Sequence, residues 1–381
     1  MIMYKRPAVL GIDSSSKNIA SKAFTERMLQ DFGNNTGNMI FSESLFTVLQ
    51  DAKRCEFHFS PKDIEDCDVI VIAAANWVNP YSDFSTLTAR IEATGLPVII
   101  CGIGAQIYDG NMLAPLKPGT TRLLKLASES SRAISVRGEF SCEVLNGYGI
   151  KNVVPTGCPS LLLSGQRVPS LRLTTELRIS DIVMHGTRHL YSRAKDFQNY
   201  LYKEAFRLNT DIILQSELVD MFCVYDSLID QSKAALFEEI LTVTYGADIS
   251  TVKNYLRCHG IVHTSFIEWI RYLMLKKFCI GSRVHGTIAS LLSGTPAVLI
   301  THDTRTEELA IQMSLPFIRQ SEIDCSRPLD IFSYYDISKF DKFTIHYSRY
   351  YNSFLHFFES VGLQVDKNFN GIHSKLGLAL V

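Results

Sequence analysis

The residues best suited to chemistry lie in the segment Gly281-Ser282-Arg283-Val284-His285-Gly286, between an apolar run and a stretch of small and apolar residues. This pattern predicts a strand, a turn and a helix start, where free N–H groups carry partial positive charge. Arg283 adds planar donors that suit a phosphate or a carboxylate, and His285 adds a group that can donate a proton. The segment therefore predicts an anion site beside an acid. A structural ion pair for Arg283 and a backbone bond for His285 are an equal alternative on the residues alone.

Short apolar runs bounded by Gly, Pro, Asn or Asp recur along the first half of the chain. Such runs are typical of strands buried on both faces of a parallel sheet. They predict strands over residues 8–12, 69–73, 98–102, 133–137 and 153–157. Segments with helical periodicity separate them, so the alternation indicates an open α/β sheet.

A second series of apolar runs covers residues 182–184, 211–214, 260–263, 278–281 and 297–300, after a polar linker over residues 164–176. We therefore predict an α/β chain with an N-terminal doubly wound domain over residues 1–165 and a C-terminal one over residues 177–335. The aromatic residues within 340–363 have helical spacing, which predicts an amphipathic helix that packs on a domain. An aromatic platform for a sugar or a lipid is the less favoured interpretation of that stretch.

Polar residues at the ends of the predicted strands are candidates for a cleft between the two domains, because ligands of such sheets bind beyond the carboxyl ends of the strands. In the second half these are His185, Arg188, His189, Gln215, Glu217, His263, His302, Arg305, Glu307 and Glu308. In the first half, Asn76 precedes Trp77, which could stack on a sugar ring or be a half-buried loop residue. His185 and His189 are four residues apart, but no third ligand is evident, so we predict no metal site.

Four ordered segments resemble the motifs of the polysaccharide pyruvyltransferase family. The most specific is residues 281–298, which is similar to the Arg-x-His-Gly core of that family with its later Gly-x-Pro. The others are Gly102-Ile103-Gly104-Ala105-Gln106, Ser135-Val136-Arg137-Gly138-Glu139-Phe140-Ser141 and Gly157-Cys158-Pro159-Ser160. One segment departs from the family pattern: Asn35-Thr36-Gly37-Asn38 has Asn38 where the family often has Asp.

The resemblance implies two Rossmann-like domains facing across a cleft, as in GT-B glycosyltransferases, with the acceptor on the N-terminal side and the donor on the C-terminal side. It also implies phosphoenolpyruvate as a substrate and a pyruvate ketal on a sugar, glycolipid or polysaccharide acceptor, without a cofactor. We expect catalytic roles for His285 and Arg283. The expected donor-binding set is Ser282, Arg283, His285, Gly286 and Arg137. The expected acceptor or cleft set is Asn38, Asn76, Gly104, Gln106, His185, His263, His302 and Glu307.

Two other functions remain open at this point. A GT-B glycosyltransferase that uses a nucleotide sugar would share the architecture, and the pair Glu307-Glu308 would suit a ribose. A non-catalytic carbohydrate-binding protein with the same fold is the third possibility. A dinucleotide enzyme is disfavoured because Gly102 and Gly104 lack the third glycine and the acidic residue of that fingerprint.

The net charge, the cysteine content and the lengths of the apolar segments restrict the kinds of partner and the location that the protein can have. The formal net charge of −1 provides no overall field that would attract nucleic acid. Nine cysteines without a CxxC pair are typical of reduced, buried thiols, and a catalytic role for any one of them is the less favoured alternative. No apolar stretch reaches membrane-spanning length. We therefore predict a cytoplasmic protein whose membrane contact, at the inner face, would be peripheral; no pattern predicts its oligomeric state.

Overall fold

The computed structural model describes residues 3–16, 26–106, 112–192, 196–227 and 231–372. Strands and helices alternate in the N-terminal half. Its strands are β1 (Pro7–Leu10), β2 (Lys53–Cys55), β3 (Val69–Ala73), β4 (Val98–Cys101), β5 (Ile134–Val136) and β6 (Val153–Pro155). Its helices are α1 (Glu26–Gln30), α2 (Asn38–Val48), α3 (Ser85–Glu92), α4 (Pro118–Ser130) and α5 (Glu139–Gly147). The apolar, β-branched runs that form β1, β3 and β4 are buried along their whole length, as expected for strands covered on both faces.

The C-terminal half repeats the alternation. Its strands are β7 (Ile182–His185), β8 (Asp211–Leu214), β9 (Gly260–Val262), β10 (Phe278–Gly281), β11 (Ala297–Thr301) and β12 (Phe317–Arg319). Its helices are α6 (Asp196–Leu208), α7 (Leu218–Val224), α8 (Ala234–Tyr245), α9 (Ile249–His259), α10 (Phe266–Leu273), α11 (Val284–Leu292), α12 (Thr304–Gln312) and α13 (Ile337–Ser360). None of the helices in the described ranges combines the length and the apolar character needed to cross a membrane.

Both sheets are parallel and each reverses its strand order once. The N-terminal sheet has the order β2-β1-β3-β4, and a parallel bridge between Ile103 and Val136 leads from it to the pair β5-β6. The C-terminal sheet has the order β12-β11-β10-β7-β8-β9, which is the strand order of a Rossmann fold. The reversals lie between β1 and β3 and between β7 and β10. Parallel α/β sheets bind ligands at these points, beyond the carboxyl ends of the strands.

The last helix joins the two halves. The hydroxyl of Tyr347 donates to the carbonyl oxygens of Leu161 and Gly165, and that of Tyr350 donates to the carbonyl oxygen of Cys158. The aromatic residues predicted to share one face of this helix are all buried, which leaves no platform for a sugar or a lipid: Phe343, Tyr347, Tyr350, Tyr351, Phe354, Phe357 and Phe358. The fold is α/β, with two Rossmann-like domains that face each other across a cleft, the GT-B arrangement.

Candidate active site

The two points of strand reversal open onto one cavity of about 1160 Å³ between the halves. Residues that follow β1 and β3 line it from the N-terminal side, and residues that follow β7 and β10 line it from the C-terminal side. They are Gly11, Ile12, Ala75, Asn76, Thr187, His189, Ser282, Arg283, Val284 and His285. The cavity is large enough for a small anion and a sugar together, since sites for single small ligands occupy roughly 300–1,000 Å³.

Two glycines allow the turn that carries Arg283 and His285 to lie against β7. A Cβ atom on Gly281 would collide with the carbonyl oxygen of His185, and one on Gly286 would lie 2.7 Å from Cδ2 of the same ring. The amide of Arg283 donates to Nδ1 of His185 at 3.0 Å. His185 is therefore a buried support beneath the turn, and not a wall of the cavity as predicted. Burial lowers its pKa to about 3, so the ring is neutral and Nδ1 can accept.

Arg283 lines the cavity, but the protein binds most of its guanidinium. Nε donates to the carbonyl oxygen of Gly186 at 3.0 Å, and Nη2 donates to that of Arg188 at 2.8 Å and to Oε1 of Glu217 at 2.6 Å. Within the described part of the chain, Nη1 has no hydrogen-bond partner. Arg283 thus offers one nitrogen to a ligand, where the sequence predicted its full planar set of donors.

Glu217 is the buried counter-ion of Arg283. Its other donors are the amides of Arg188, Gln215 and Ser216 and the hydroxyl of Tyr202. Burial alone would raise the pKa of this carboxyl group, but the charge and hydrogen bond of Arg283, with the amide of Ser216, lower it to about 2. Glu217 therefore stays ionised and fixes the orientation of Arg283.

We expect Arg283→Ala to destabilise the protein as well as inactivate it, because the substitution leaves the carboxylate of Glu217 buried without its cation. Removing one partner of a buried ion pair costs about 3–5 kcal/mol. The urea midpoint should fall accordingly, and the double variant Arg283→Ala/Glu217→Gln should recover part of the loss because the buried charge is gone. An unchanged midpoint for Arg283→Ala would show that this ion pair contributes nothing to folding.

Arg137 is the second cation of the cavity and is 2% exposed. Its Nε donates to the carbonyl oxygen of Gly102 at 3.0 Å, and its Nη1 donates to Oδ1 of Asn76 at 2.6 Å. The absence of a side chain at Gly104 makes this pair possible, because a Cβ atom there would lie 2.6 Å from Cδ of Arg137 and 2.7 Å from Oδ1 of Asn76. No carboxylate among the described residues forms a salt bridge with Arg137, and burial lowers its pKa. Arg137 therefore does not form an ion pair with its sequence neighbour Glu139.

The helix that follows Arg137 is held by a carboxylate from the other half. Oε1 of Glu308 accepts from the amide of Ser141 at 2.6 Å, and Oε2 accepts from the Ser141 hydroxyl at 3.0 Å. A Cβ atom on Gly138 would collide with Cγ of Glu308, so glycine at this position permits the contact. Glu308 therefore links α12 of the C-terminal half to the start of α5 and to the loop that carries Arg137.

Arg305 is a third cation of the cavity, and its position after a strand was the only prediction made for it from the sequence. It lies in the first turn of α12, and its Nη2 donates to Oδ2 of Asp303 at 3.1 Å. Its Nε is buried, and no residue in the described ranges accepts from it. A buried donor of this kind needs a partner, so Arg305 is poised to bind an anion in the cavity.

His285 lies among the three cations and is 8% exposed. Its Nε2 lies 3.5 Å from Sγ of Cys158, and its ring centroid lies 5.4 Å from that of Phe41. Burial, together with the positive charges of Arg137, Arg305 and Arg283, lowers its pKa to about 3. The imidazole is therefore neutral at pH 7, and a bound anion would offset the three charges that oppose its protonation.

Buried neutral histidines make the stability of the protein depend on pH. Burial lowers the pKa of His185, His263 and His285 to about 3. Below the unfolded pKa of about 6.5, the unfolded chain binds protons that the folded chain does not. For each of these histidines, the free energy of unfolding therefore decreases by about 1.4 kcal/mol for every unit by which the pH is lowered. We expect the urea midpoint to drop markedly between pH 7 and pH 5, and His263→Gln to flatten that slope. A midpoint that stays constant or rises as the pH falls would contradict these values.

Three predicted cleft residues lie elsewhere. His263 is buried against the ring of Trp269, with centroids 5.6 Å apart, because β9 is the outer strand of its sheet and ends about 10 Å from the strand reversal. His302 and Glu307 line a second cavity of about 840 Å³, where Glu307 accepts from Nε of Arg319 at 2.8 Å. Residues two apart on a helix point in nearly opposite directions, so Glu307 faces away from the cavity that Arg305 lines.

The other predicted residues lie in or beside the main cavity. Asn38, Asn76, Gln106 and Ser282 line it, while Gly104 and Gly286 support its walls. Nδ2 of Asn38 donates to the carbonyl oxygen of Phe32 at 3.0 Å, a bond that an ionised aspartate in this position would lack the donor to make. The hydroxyl of Ser282 lies 2.9 Å from that of Thr187 and donates to Gln198 at 3.0 Å, so it is occupied by protein groups.

The N-terminal wall of the cavity carries an aromatic group. The ring of Trp77 stacks on Phe84 with centroids 4.3 Å apart and meets Phe57 edge-on at 5.6 Å. All three residues line the cavity and are half-buried. Their exposed parts provide an apolar surface of the kind that packs against sugar rings.

Comparisons with known proteins agree with the resemblance seen in the motifs. The family model for polysaccharide pyruvyl transferase matches residues 35–304. No curated protein matches the sequence significantly. Among solved structures, UDP-GlcNAc 2-epimerase from Neisseria meningitidis bound to UDP-GlcNAc is 12% identical, covering 93% of this chain and 98% of that one, with a TM-score of 0.42. The S. aureus MnaA–UDP complex is 10% identical, covering 92% and 93%, with a TM-score of 0.44.

Proposed function

The chain belongs to the polysaccharide pyruvyl transferase family and is a transferase, and on that premise we propose that it transfers the pyruvyl group of phosphoenolpyruvate to a sugar of a polysaccharide or its precursor. The product would be a pyruvate ketal. The observation that carries the proposal is the set of three guanidinium groups, those of Arg137, Arg283 and Arg305, that line one cavity around His285.

The charges suit this donor. Phosphoenolpyruvate has a phosphate and a carboxylate on a three-carbon skeleton, and arginine binds both groups through charge-assisted hydrogen bonds. Each of the three arginines keeps a nitrogen without a protein partner among the described residues. The first N–H groups of α11, which have no acceptor within a helix, add donors beside them. A small trianion would therefore replace the repulsion among three cations with attraction.

The reaction needs one proton delivered to carbon and one removed from each of two sugar hydroxyls, and the second of these leaves with the phosphate. Protonation of the methylene carbon of the donor gives a centre with oxocarbenium character, which a sugar hydroxyl attacks. The phosphate stays on the resulting tetrahedral carbon and leaves at the next step. A second hydroxyl then closes the ketal. His285, at the centre of the cations, is the group that we assign to proton transfer.

The acceptor is proposed to bind on the N-terminal side, where Trp77, Phe57 and Phe84 form the aromatic wall. Asn76 and Gln106 lie on the same side and can bond to sugar hydroxyls. The volume of about 1160 Å³ leaves room for a sugar beside a three-carbon donor.

The nucleotide-sugar alternative loses the support of the pair Glu307-Glu308. These carboxylates would suit a ribose, but Glu307 pairs with Arg319 in the second cavity and Glu308 is engaged by Ser141. Neither carboxylate is free to bind a ribose in the cavity that His285 lines.

The test combines donor binding with turnover. Phosphoenolpyruvate should raise the melting temperature in proportion to its concentration, whereas UDP-GlcNAc should not. With a mixture of saccharide acceptors, the enzyme should release inorganic phosphate from phosphoenolpyruvate and give a saccharide that has gained a pyruvate ketal by mass spectrometry. Stabilisation by the nucleotide sugar alone, without phosphate release, would contradict the proposal.

A further inference from the structure

The neutral state of His285 poses a chemical problem for the proposed reaction. A neutral imidazole carries one proton, and giving it away without replacement would leave an imidazolate, which is far too basic to form. The ring must therefore gain a second proton from a bound substrate or receive one on its other nitrogen as it donates. The surroundings of Nε2 point to the second route.

A hydrogen-bonded chain leads from the protein interior to this ring. Sγ of Cys158 lies 2.7 Å from Oγ of Ser160 and 3.5 Å from Nε2 of His285. Cys158 and Ser160 are both fully buried, and His285 is 8% exposed. Nδ1 of His285 has no hydrogen-bond partner among the described residues, although the ring lines the cavity. One nitrogen thus faces the thiol, and the other is left for a ligand.

The direction of hydrogen bonding along Ser160, Cys158 and His285 follows from the donors and acceptors of these three groups. If the Ser160 hydroxyl donates to Sγ, the thiol can donate to Nε2, and the hydroxyl and thiol hydrogens both have an acceptor. In the reverse direction, Nε2 would donate to Sγ and the thiol to Oγ, which would leave the buried hydroxyl of Ser160 without an acceptor in the described structure. The first arrangement places the imidazole hydrogen on Nδ1, towards the cavity.

We infer that Cys158 is a positioning and proton-relay residue that acts through His285, an inference that rests on the proposed function. In the first step, the Nδ1–H bond breaks and a C–H bond forms at the methylene carbon of phosphoenolpyruvate. The thiol proton moves to Nε2, which leaves a thiolate whose negative charge interacts favourably with the charge of Arg137. The imidazole ring stays neutral, but its hydrogen is now on Nε2 and no longer on Nδ1.

The same exchange prepares the second step. Nδ1 now has a lone pair and accepts the proton of the attacking sugar hydroxyl as the C–O bond forms, while Nε2 returns its proton to the thiolate. The proton of the second hydroxyl leaves with the phosphate when the ketal closes. The relay therefore lets one neutral imidazole serve as acid and then as base, in keeping with the low pKa that burial and Arg137, Arg305 and Arg283 impose on it.

The tautomer can be measured without substrate. Protein labelled with ¹⁵N-histidine should show His285 as the Nδ1–H form at pH 7, in a long-range ¹H–¹⁵N spectrum assigned with His285→Gln. Cys158→Ala should shift this signal towards the Nε2–H form, whereas Cys158→Ser should preserve it because a hydroxyl can donate in place of the thiol. An Nε2–H form in the unmodified protein would overturn the inference, whether or not the protein turns over phosphoenolpyruvate.

Turnover provides the second readout. Cys158→Ala should lower kcat on the order of 10- to 100-fold, with KM for phosphoenolpyruvate changed by less than about threefold, since proton transfer by a positioned group contributes roughly 10²–10⁴-fold. Cys158→Ser should restore most of the rate.

Cys223→Ala, which removes another buried thiol in the C-terminal core, is the matched control and should keep the wild-type kcat. A wild-type kcat in Cys158→Ala would also overturn the relay. Absence of phosphate release by the unmodified enzyme would count against the proposed function itself and leave the spectroscopic result standing.

Discussion

Replacing His285 with glutamine should lower kcat for pyruvyl transfer by roughly 10²- to 10⁴-fold, the range that general acid–base groups contribute. Glutamine keeps a polar side chain of similar length but cannot transfer a proton at neutral pH. Because His285 is neutral and its loss leaves no buried charge, the melting temperature should change by only a few degrees. Phosphate release at saturating phosphoenolpyruvate measures the effect.

The matched control for this variant is His263→Gln. His263 is also 8% exposed, and burial lowers its pKa to about 3, but it packs against Trp269 away from the cavity. It should keep wild-type kcat and KM. If His285→Gln retained more than a tenth of the wild-type rate, proton transfer by His285 would have to be abandoned.

The second large effect is expected for Arg305→Ala, which should raise KM for phosphoenolpyruvate about 10- to 100-fold. A hydrogen bond to a charged group contributes about 1.5–3 kcal/mol, and tenfold in affinity corresponds to about 1.4 kcal/mol. Arg305 is the best cation to remove, since its partial exposure and single bond to Asp303 make a folding defect small. Steady-state kinetics with phosphoenolpyruvate as the varied substrate provides the measurement.

Arg319→Ala is the control for charge. Arg319 is also an arginine of the C-terminal half, but it pairs with Glu307 in the second cavity. Its removal should leave KM within about twofold of wild type, a change below 0.5 kcal/mol. Equal increases in KM for both variants would indicate a general effect of net charge and would remove Arg305 from the donor site.

The sequence predicted where several strands end, because buried parallel strands have a strong local signal. The runs that became β3, β4 and β10 are apolar throughout, and Arg283 and His285 follow β10 as expected. The order of the strands has no such signal. His263 was placed in the cleft because it follows a strand, but that strand is at the edge of the sheet, and only the sheet order reveals this.

The sequence also did not predict which side chains of different helices, strands and loops contact each other. Glu217 is 66 residues from Arg283, and Cys158 is 127 residues from His285, yet each is in direct contact with its partner. Periodicity identifies the buried face of an element but not the side chain that it meets. The sequence therefore left open whether Arg283 has a structural ion pair or a place in the cavity, and in the structure it has both. The sequence placed Arg305 only after a strand, and the donor-binding role that we propose for it was not among the predictions.

In the proposed function, phosphoenolpyruvate binds between the two halves, with its anionic groups on Arg137, Arg283 and Arg305 and its methylene carbon near His285. A crystal structure of the protein with phosphoenolpyruvate or an inert analogue tests this directly. We predict the ligand in the cavity of about 1160 Å³, with oxygens within hydrogen-bond distance of at least two of the three guanidinium groups and carbon facing Nδ1 of His285. A ligand bound in the second cavity beside Arg319, with the main cavity empty at saturating concentration, would contradict the account.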